Sequence, residues 1–303
     1  MRQVYGKEWE KLRESKTDRT FIVFNYIFLT LIALLVLYPL VFVVSASLSN
    51  PQYVISGEMW LWPKEFTVEA YEKVFKNKDI INGFINTMKY TVVGTALNVV
   101  MTILAAYPLS RKDLKGRGFI MAFMVFTIFF SGGLIPTYLL IRDLGMLNTF
   151  WVMIIPNAVA VWNIIIMRTF FQSIPHELQE SAMIDGCGNF RILWNIVLPL
   201  SFPVIAVMVL FYAVGHWNSY FQALIYLTDQ DRFPLQLILR QILIQGQTDD
   251  MIQATTESFL AQQLSVEGLK YAVLIVANLP MLLLYPFLQR YFVKGVMIGS
   301  LKG

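Results

Sequence analysis

The stretch ELQESAMIDGCGNFRILWNIVLP, Glu177 to Pro199, is a polar segment between two long apolar ones, and its reading decides the fold. Pro175 stands two residues ahead of it, where a first helical turn tolerates proline, and Glu177 and Glu180 lie where the positive end of a helix dipole favours carboxylates. Gly186 ends that helix, because glycine takes a left-handed cap without a Cβ clash. Asn189 is placed to cap a second helix, in which Phe190, Leu193, Trp194 and Val197 recur at i, i+3, i+4 and i+7 and so share one face. A short helix, a glycine elbow and an amphipathic helix are predicted between membrane spans. That shape suits docking another protein.

The composition supports spans. Hydrophobic residues make up 56% of the chain, charged ones 15%, and the mean hydropathy is +0.57, well beyond soluble domains. Seven Trp, 14 Tyr and 23 Phe match the aromatic enrichment of membrane interfaces. A net charge of +4, dispersed along the chain, does not suit nucleic acid. The single cysteine, Cys187, excludes an internal disulfide and a cysteine-cluster metal site, and reads as a small filler beside the elbow. The polar, basic start runs too long for a cleavable signal, and the apolar run after it is a full span; the expectation is an uncleaved signal-anchor.

At about 20 apolar residues per span, six spans are predicted near 21–48, 84–109, 119–141, 149–171, 200–227 and 269–292. Segments 1–20 and 293–303 flank this six-span block. Pro39 is expected to kink the first span, Lys89 to snorkel from the second, and the third carries Gly132, Gly133 and Pro136 in its second half. The fifth is entered through Pro199 and Pro203. Phe233 to Leu243, in the long connection before the last span, reads either as an amphipathic helix at the interface or as a segment packed on the bundle. With the N-terminus inside, 15 of the 24 Lys and Arg residues fall on the inner side and nine on the outer. Both termini and the Glu177 to Pro199 elbow are therefore expected in the cytoplasm. The fold class is an all-α membrane protein of six transmembrane helices.

Enzymatic constellations are missing from the sequence. There is no G-x-x-x-x-G-K-[ST] loop to cradle ATP and no H-E-x-x-H, and the only histidines, His176 and His216, fall on opposite sides of the expected membrane. The spans hold no carboxylate, which argues against a proton-coupled relay. Energy for transport must then come from another protein. A stand-alone channel or secondary sugar carrier is the competing reading, and the docking elbow weighs against it.

Glu180-Ser181-Ala182, three residues, Gly186, nine residues, then Ile196-x-Leu198-Pro199 resembles the EAA motif of the integral-membrane permease subunits of binding-protein-dependent ABC importers. The spacing matches throughout; Ser181 in place of the usual first alanine is the one departure, and serine is small enough for the same packing. The resemblance covers nearly the whole chain. Phe129 to Trp151, Ile164 to Leu178, Phe211 to Leu224 and Gln289 to Gly303 resemble the carbohydrate-uptake branch, where the chain is similar to the maltose permease subunit MalG and more similar to the YtcP/LplC group.

That resemblance implies a type I ABC importer permease fold in a bacterial cell membrane. It implies no cofactor on this chain, with ATP and Mg used by a dimeric ATPase subunit. The other implied partners are a second homologous permease subunit forming a heterodimer, an extracytoplasmic solute-binding protein, membrane lipid and a carbohydrate. The last would be a complex oligosaccharide such as a pectin or rhamnogalacturonan fragment. The implied coupling residues are Glu177, Glu180, Ser181, Ala182, Asp185, Gly186, Ile196, Leu198 and Pro199, with Glu180 meeting a basic residue of the ATPase and Gly186 setting the bend. A solvated helix-start carboxylate is the plainer reading of Glu180, and a frayed tail that of Lys294 to Gly303, which in the family reaches the ATPase.

The family's substrate path runs between two permease subunits, so polar residues within spans are candidates for its lining. They are Asn157, Trp162 and Asn163 on the fourth span, and His216, Trp217, Asn218, Tyr220 and Gln222 on the fifth. Aromatic faces with amides suit sugars. Taken singly, each also reads as an interface aromatic or a helix-joining amide.

Overall fold

The computed structural model describes residues 16–251, 264 and 266–283. In chain order the main helices are α1 (Lys16–Ser47), α2 (Pro51–Ile55), α3 (Glu69–Lys76), α4 (Lys78–Ser110), α5 (Arg117–Phe129), α6 (Leu134–Asp143), α7 (Val161–Ser173) and α8 (His176–Ile184). After the elbow come α9 (Asn189–Leu200), α10 (Phe202–Trp217), α11 (Phe221–Tyr226), α12 (Leu235–Met251) and α13 (Val266–Leu283). No strand occurs among the described residues. Helices α1, α4 and α13 are each long and apolar enough to cross a membrane; counting three bent helix pairs as one span each brings the total to six.

Three of the six expected spans are bent helix pairs. Helices α5 and α6 meet at 109°, where Gly133 takes φ 84° and ψ 177°, a conformation open only to glycine. The fourth span starts as two tight turns, Phe150–Met153 and Ile155–Asn157 with Pro156 inside the second, and bends by 53° into α7. Helices α9 and α10 meet at 83° around Ser201, between Pro199 and Pro203, neither of which has an N–H to continue the ladder. The fifth span therefore ends at Trp217, and α11 is a separate short helix. By contrast α1 runs through Pro39 without a break.

The second span starts at Lys78, six residues before the sequence expectation of 84. Asn77 caps it, its side chain accepting from the Asp79 and Ile80 amides at 2.9 and 3.2 Å, with Asp79 in the first turn. The last span starts at Val266; its expected end at 284–292 and the segments 1–15 and 293–303 lie outside the described residues.

Helix α4 is the central post, packed against α7, α10 and α12. One face carries a buried polar row, Thr87, Thr91, Thr95, Asn98 and Thr102, at spacings of four, four, three and four. One apolar core joins Val99, Ala106, Ile164, Met167, Phe171, Ile192, Leu193, Val197 and Met208, so it fuses α4, α7, α9 and α10. Another joins Val74, Ile80, Leu235, Ile238, Ala272, Val273 and Ala277. The Phe233 to Leu243 segment thus packs on the bundle, as helix α12. A Cβ at Gly83 would lie 2.4 Å from Ile238 Cδ1, so this glycine lets α12 approach α4.

Candidate functional site

Helix α8 starts behind Pro175 and ends in a Schellman motif. The Cys187 N–H donates to the Ala182 carbonyl (2.9 Å) and the Gly186 N–H to Met183 (3.0 Å), with Gly186 at φ +78°. Gly186 therefore does set the bend. Along α8 the side chains divide by face: Gln179 and Ala182 are buried against the bundle, whereas Ile184 is 86% exposed, with Leu178, Met183, Glu177 and Asp185 also outward. Ser181 is exposed and donates to the Glu177 carbonyl at 2.8 Å, so the departure from alanine is satisfied within its own helix. The Glu180 carboxylate sits on the open face, 2.9 Å from His176 Nδ1 one turn back.

Beyond the elbow two expectations are corrected. Gly188 is the capping residue of α9 and Asn189 its first helical residue, with no side-chain cap bond. The four apolar residues do not share a face: Leu193 and Val197 are buried, but Phe190 and Trp194 are 71% and 66% exposed. A π-turn over Leu193–Val197 adds a residue to one turn and rotates the register. Ile192 joins the buried side instead, and Ile196 and Leu198 pack at its margin, while Pro199 is exposed.

Arg111, just past α4, brackets the elbow from the side. Its Nε and Nη2 donate to the two oxygens of Asp113 at 2.9 Å each, Nη1 donates to Tyr107 Oη at 3.3 Å, and Nη2 lies 3.8 Å from Met183 Sδ on α8. The guanidinium holds the Asp113 carboxyl below the usual carboxylate range and is itself raised by that partner. The sign follows: the bracket's contribution is complete above the ordinary aspartate value and is lost as pH falls through the lowered one. Arg111→Ala is expected to speed amide hydrogen exchange in α8 several-fold at pH 7 without unfolding the bundle. Unchanged α8 exchange would show that Met183 gains no support from it.

Toward the far end of α10, a cavity of about 490 Å³ opens between α4, α7, α10 and α11. Six of the eight sequence candidates line it: Asn157, Asn163, His216, Asn218, Tyr220 and Gln222. Its floor is braced by Asn98, whose Nδ2 donates to the Asn157 carbonyl and whose Oδ1 lies 2.7 Å from His216 Nε2. One turn on, Thr102 Oγ1 bonds the Asn98 carbonyl and Tyr212 Oη, both at 2.7 Å. Asn98 and Tyr212 were not among the candidates. Asn98 was legible as an amide deep inside an apolar span.

The two tryptophans lie elsewhere. Trp162 is 66% exposed and outside the cavity lining. Trp217 is 1% exposed; its Nε1 donates to the Ala277 carbonyl at 2.9 Å and its ring meets Phe84 edge-on at 5.8 Å, tying α10 to α13 and α4. Its place is structural. Trp217→Ala should cost about 3–5 kcal/mol, the usual effect of truncating a buried aromatic, and lower the melting temperature of the purified protein. A melting point unmoved by that change would contradict the tie.

Comparison with known proteins converges on one family. The family model described as "Binding-protein-dependent transport system inner membrane component" matches residues 10–298. Protein LplC of Bacillus subtilis (strain 168) is 40% identical over 98% of this chain and 99% of its own length. The polygalacturonan/rhamnogalacturonan transport system permease protein YtcP of the same organism is 43% identical over 94% of this chain and 99% of its own. Among solved structures, one described as a bacterial ABC transporter involved in the import of the acidic polysaccharide alginate superposes with a TM-score of 0.84 at 32% identity, covering 92% of this chain and 99% of that one. This chain belongs to the family of binding-protein-dependent transport system inner membrane components.

Proposed function

We propose that this chain is the membrane-spanning permease subunit of an ATP-driven, binding-protein-dependent oligosaccharide importer, with no catalysis of its own. It would form half of a sugar path with a second permease and receive force through the α8 elbow from a separate ATPase dimer, which binds the ATP and Mg. A solute-binding protein outside the cell would deliver the sugar. The name of the relative YtcP favours a complex oligosaccharide such as a pectin or rhamnogalacturonan fragment. The excess of Lys and Arg on one side favours a cytoplasmic position for both termini and the elbow.

The observation that carries this reading is the two-sided build of α8. Its inner side, through Ala182, belongs to the same apolar core as α4, α7 and α10, while Ile184, Leu178 and Glu180 face outward, free for a partner. A push on the outer face is thus transmitted to the helices around the cavity, and differential contact in two states suffices to drive alternate access. Glu177 and Asp185 on the same outward face, with Ile196, Leu198 and Pro199 beyond the elbow, would complete the coupling region.

The test reconstitutes the chain in liposomes with its second permease, ATPase and binding protein, and follows binding-protein-stimulated ATP hydrolysis. Glu180→Lys should lower stimulation about tenfold or more, the scale of reversing one charge in a desolvated interface pair, while the subunit still inserts and assembles. Full stimulation in that variant would sink the lever assignment. Sugar uptake by this chain alone would sink the assembly.

A further inference from the structure

The cavity between α4, α7, α10 and α11 holds polar groups that the protein itself leaves unused. Asn163 is only 8% exposed, lines the cavity, and its carboxamide has no hydrogen-bond partner among the described residues. Because it borders the cavity, that amide keeps its donors and acceptor available to whatever enters, water or ligand. The Asn157 and Gln222 side chains, also in the lining, are likewise without a partner among the described residues. The Asn98 and Asn218 side-chain nitrogens, in contrast, are already committed to the Asn157 and Val214 carbonyls. Phe211, Tyr220 and Phe221 add ring surface beside these amides.

Charge is what the lining omits. Among the described residues around the cavity there is no Asp, Glu, Lys or Arg, and the one imidazole, His216, is held on Asn98. Amides offer both donors and acceptors in fixed directions, which match the mixed donor–acceptor character of hydroxyls, and aromatic rings take the C–H face of a pyranose. A carboxylate here would be stripped of water with no cation to receive it, at a cost that buried ions rarely recover.

We propose that this cavity is a subsite for an uncharged pyranose ring, with Asn163 as its specificity-determining contact, and that it rejects uronate rings. The proposal rests on reading the cavity as part of the sugar path and names the chemistry of that half. In a chain mixing neutral and acidic sugars, the neutral ring would occupy this subunit's half, and carboxylates would have to be met elsewhere.

The probes are galactotriose and trigalacturonate, the same rings with a hydroxymethyl or a carboxylate at C6. Saturation-transfer NMR on the purified full importer in nanodiscs, without binding protein, reads contact directly. The unaltered importer is expected to saturate galactotriose ring protons through this cavity, whereas a trigalacturonate signal, arising elsewhere in the importer, is expected to be independent of Asn163. Asn163→Ala should cut the galactotriose signal about fivefold, the scale of one directed hydrogen bond. Asn163→Lys should reverse the preference by supplying the missing cation. A trigalacturonate signal that falls with Asn163→Ala, an unchanged galactotriose signal in that variant, or no signal from galactotriose would each overturn the proposal. The hydrolysis measured with Glu180→Lys reports force transmission whichever ring is bound, so a lost NMR signal with that coupling defect intact discards the subsite and keeps the lever.

Discussion

Gly186→Val is expected to abolish binding-protein-stimulated ATP hydrolysis, while Gly186→Asn retains most of it. The backbone at Gly186 has φ +78°, and a Cβ built there would meet nothing within 4 Å. The cost of a side chain is therefore conformational and not a clash. A left-handed residue costs about 1–2 kcal/mol when it carries a Cβ, and more when branched, whereas asparagine is tolerated there. A loss of that size shifts the elbow's population about 5–30-fold away from the geometry in which Cys187 and Gly186 cap α8. The outward face of α8, with Ile184 at 86% exposure, would no longer be held at a fixed angle to the core. Equal losses for valine and asparagine would point to a contact made by the glycine surface and not to its backbone angle.

The elbow was legible because its signals are local. A proline before a first turn, carboxylates within that turn and a glycine after it each act over a few residues, and the sequence displays them directly. Gly133 and Pro156 were visible in the same way, yet the size of the bends at them was not. A hydropathy window counts apolar residues and is blind to the direction in which the chain carries them. The register of α9 was not legible at all. Its π-turn over Leu193–Val197 comes from how Ile192, Leu193 and Val197 seat on α4 and α7, and spacing alone assigns Phe190 and Trp194 to the wrong side.

The cavity was half legible for a related reason. Helix α10 is apolar on every side, so periodicity cannot say whether His216 or Trp217 faces the cavity. Packing decides: Trp217 finds the Ala277 carbonyl and His216 finds Asn98. The row Thr87, Thr91, Thr95, Asn98 and Thr102 did follow the helical period within an apolar span. Its spacing marked the buried face of α4, and with it the floor of the cavity.

That floor yields the second large effect. Gly94→Ala is expected to destabilise the permease and to distort the cavity, because the new Cβ would stand 2.4 Å from His216 Nε2 and 2.5 Å from its Cε1. One methyl group in so tight a place must displace the ring, and overpacking of this kind costs about 1–3 kcal/mol. Moving the imidazole also breaks its 2.7 Å contact with Asn98 Oδ1 and so loosens the carboxamide whose Nδ2 donates to the Asn157 carbonyl at the cavity floor. His216→Ala removes the obstructing ring. The double variant Gly94→Ala with His216→Ala should therefore melt close to His216→Ala alone, a coupling of about 1 kcal/mol or more between two residues in contact. Melting temperatures of the four purified proteins close the cycle, and sugar uptake in liposomes follows the cavity. Strict additivity would mean that α4 and α10 shift apart to admit the methyl group, and that Gly94 does not hold the imidazole in place.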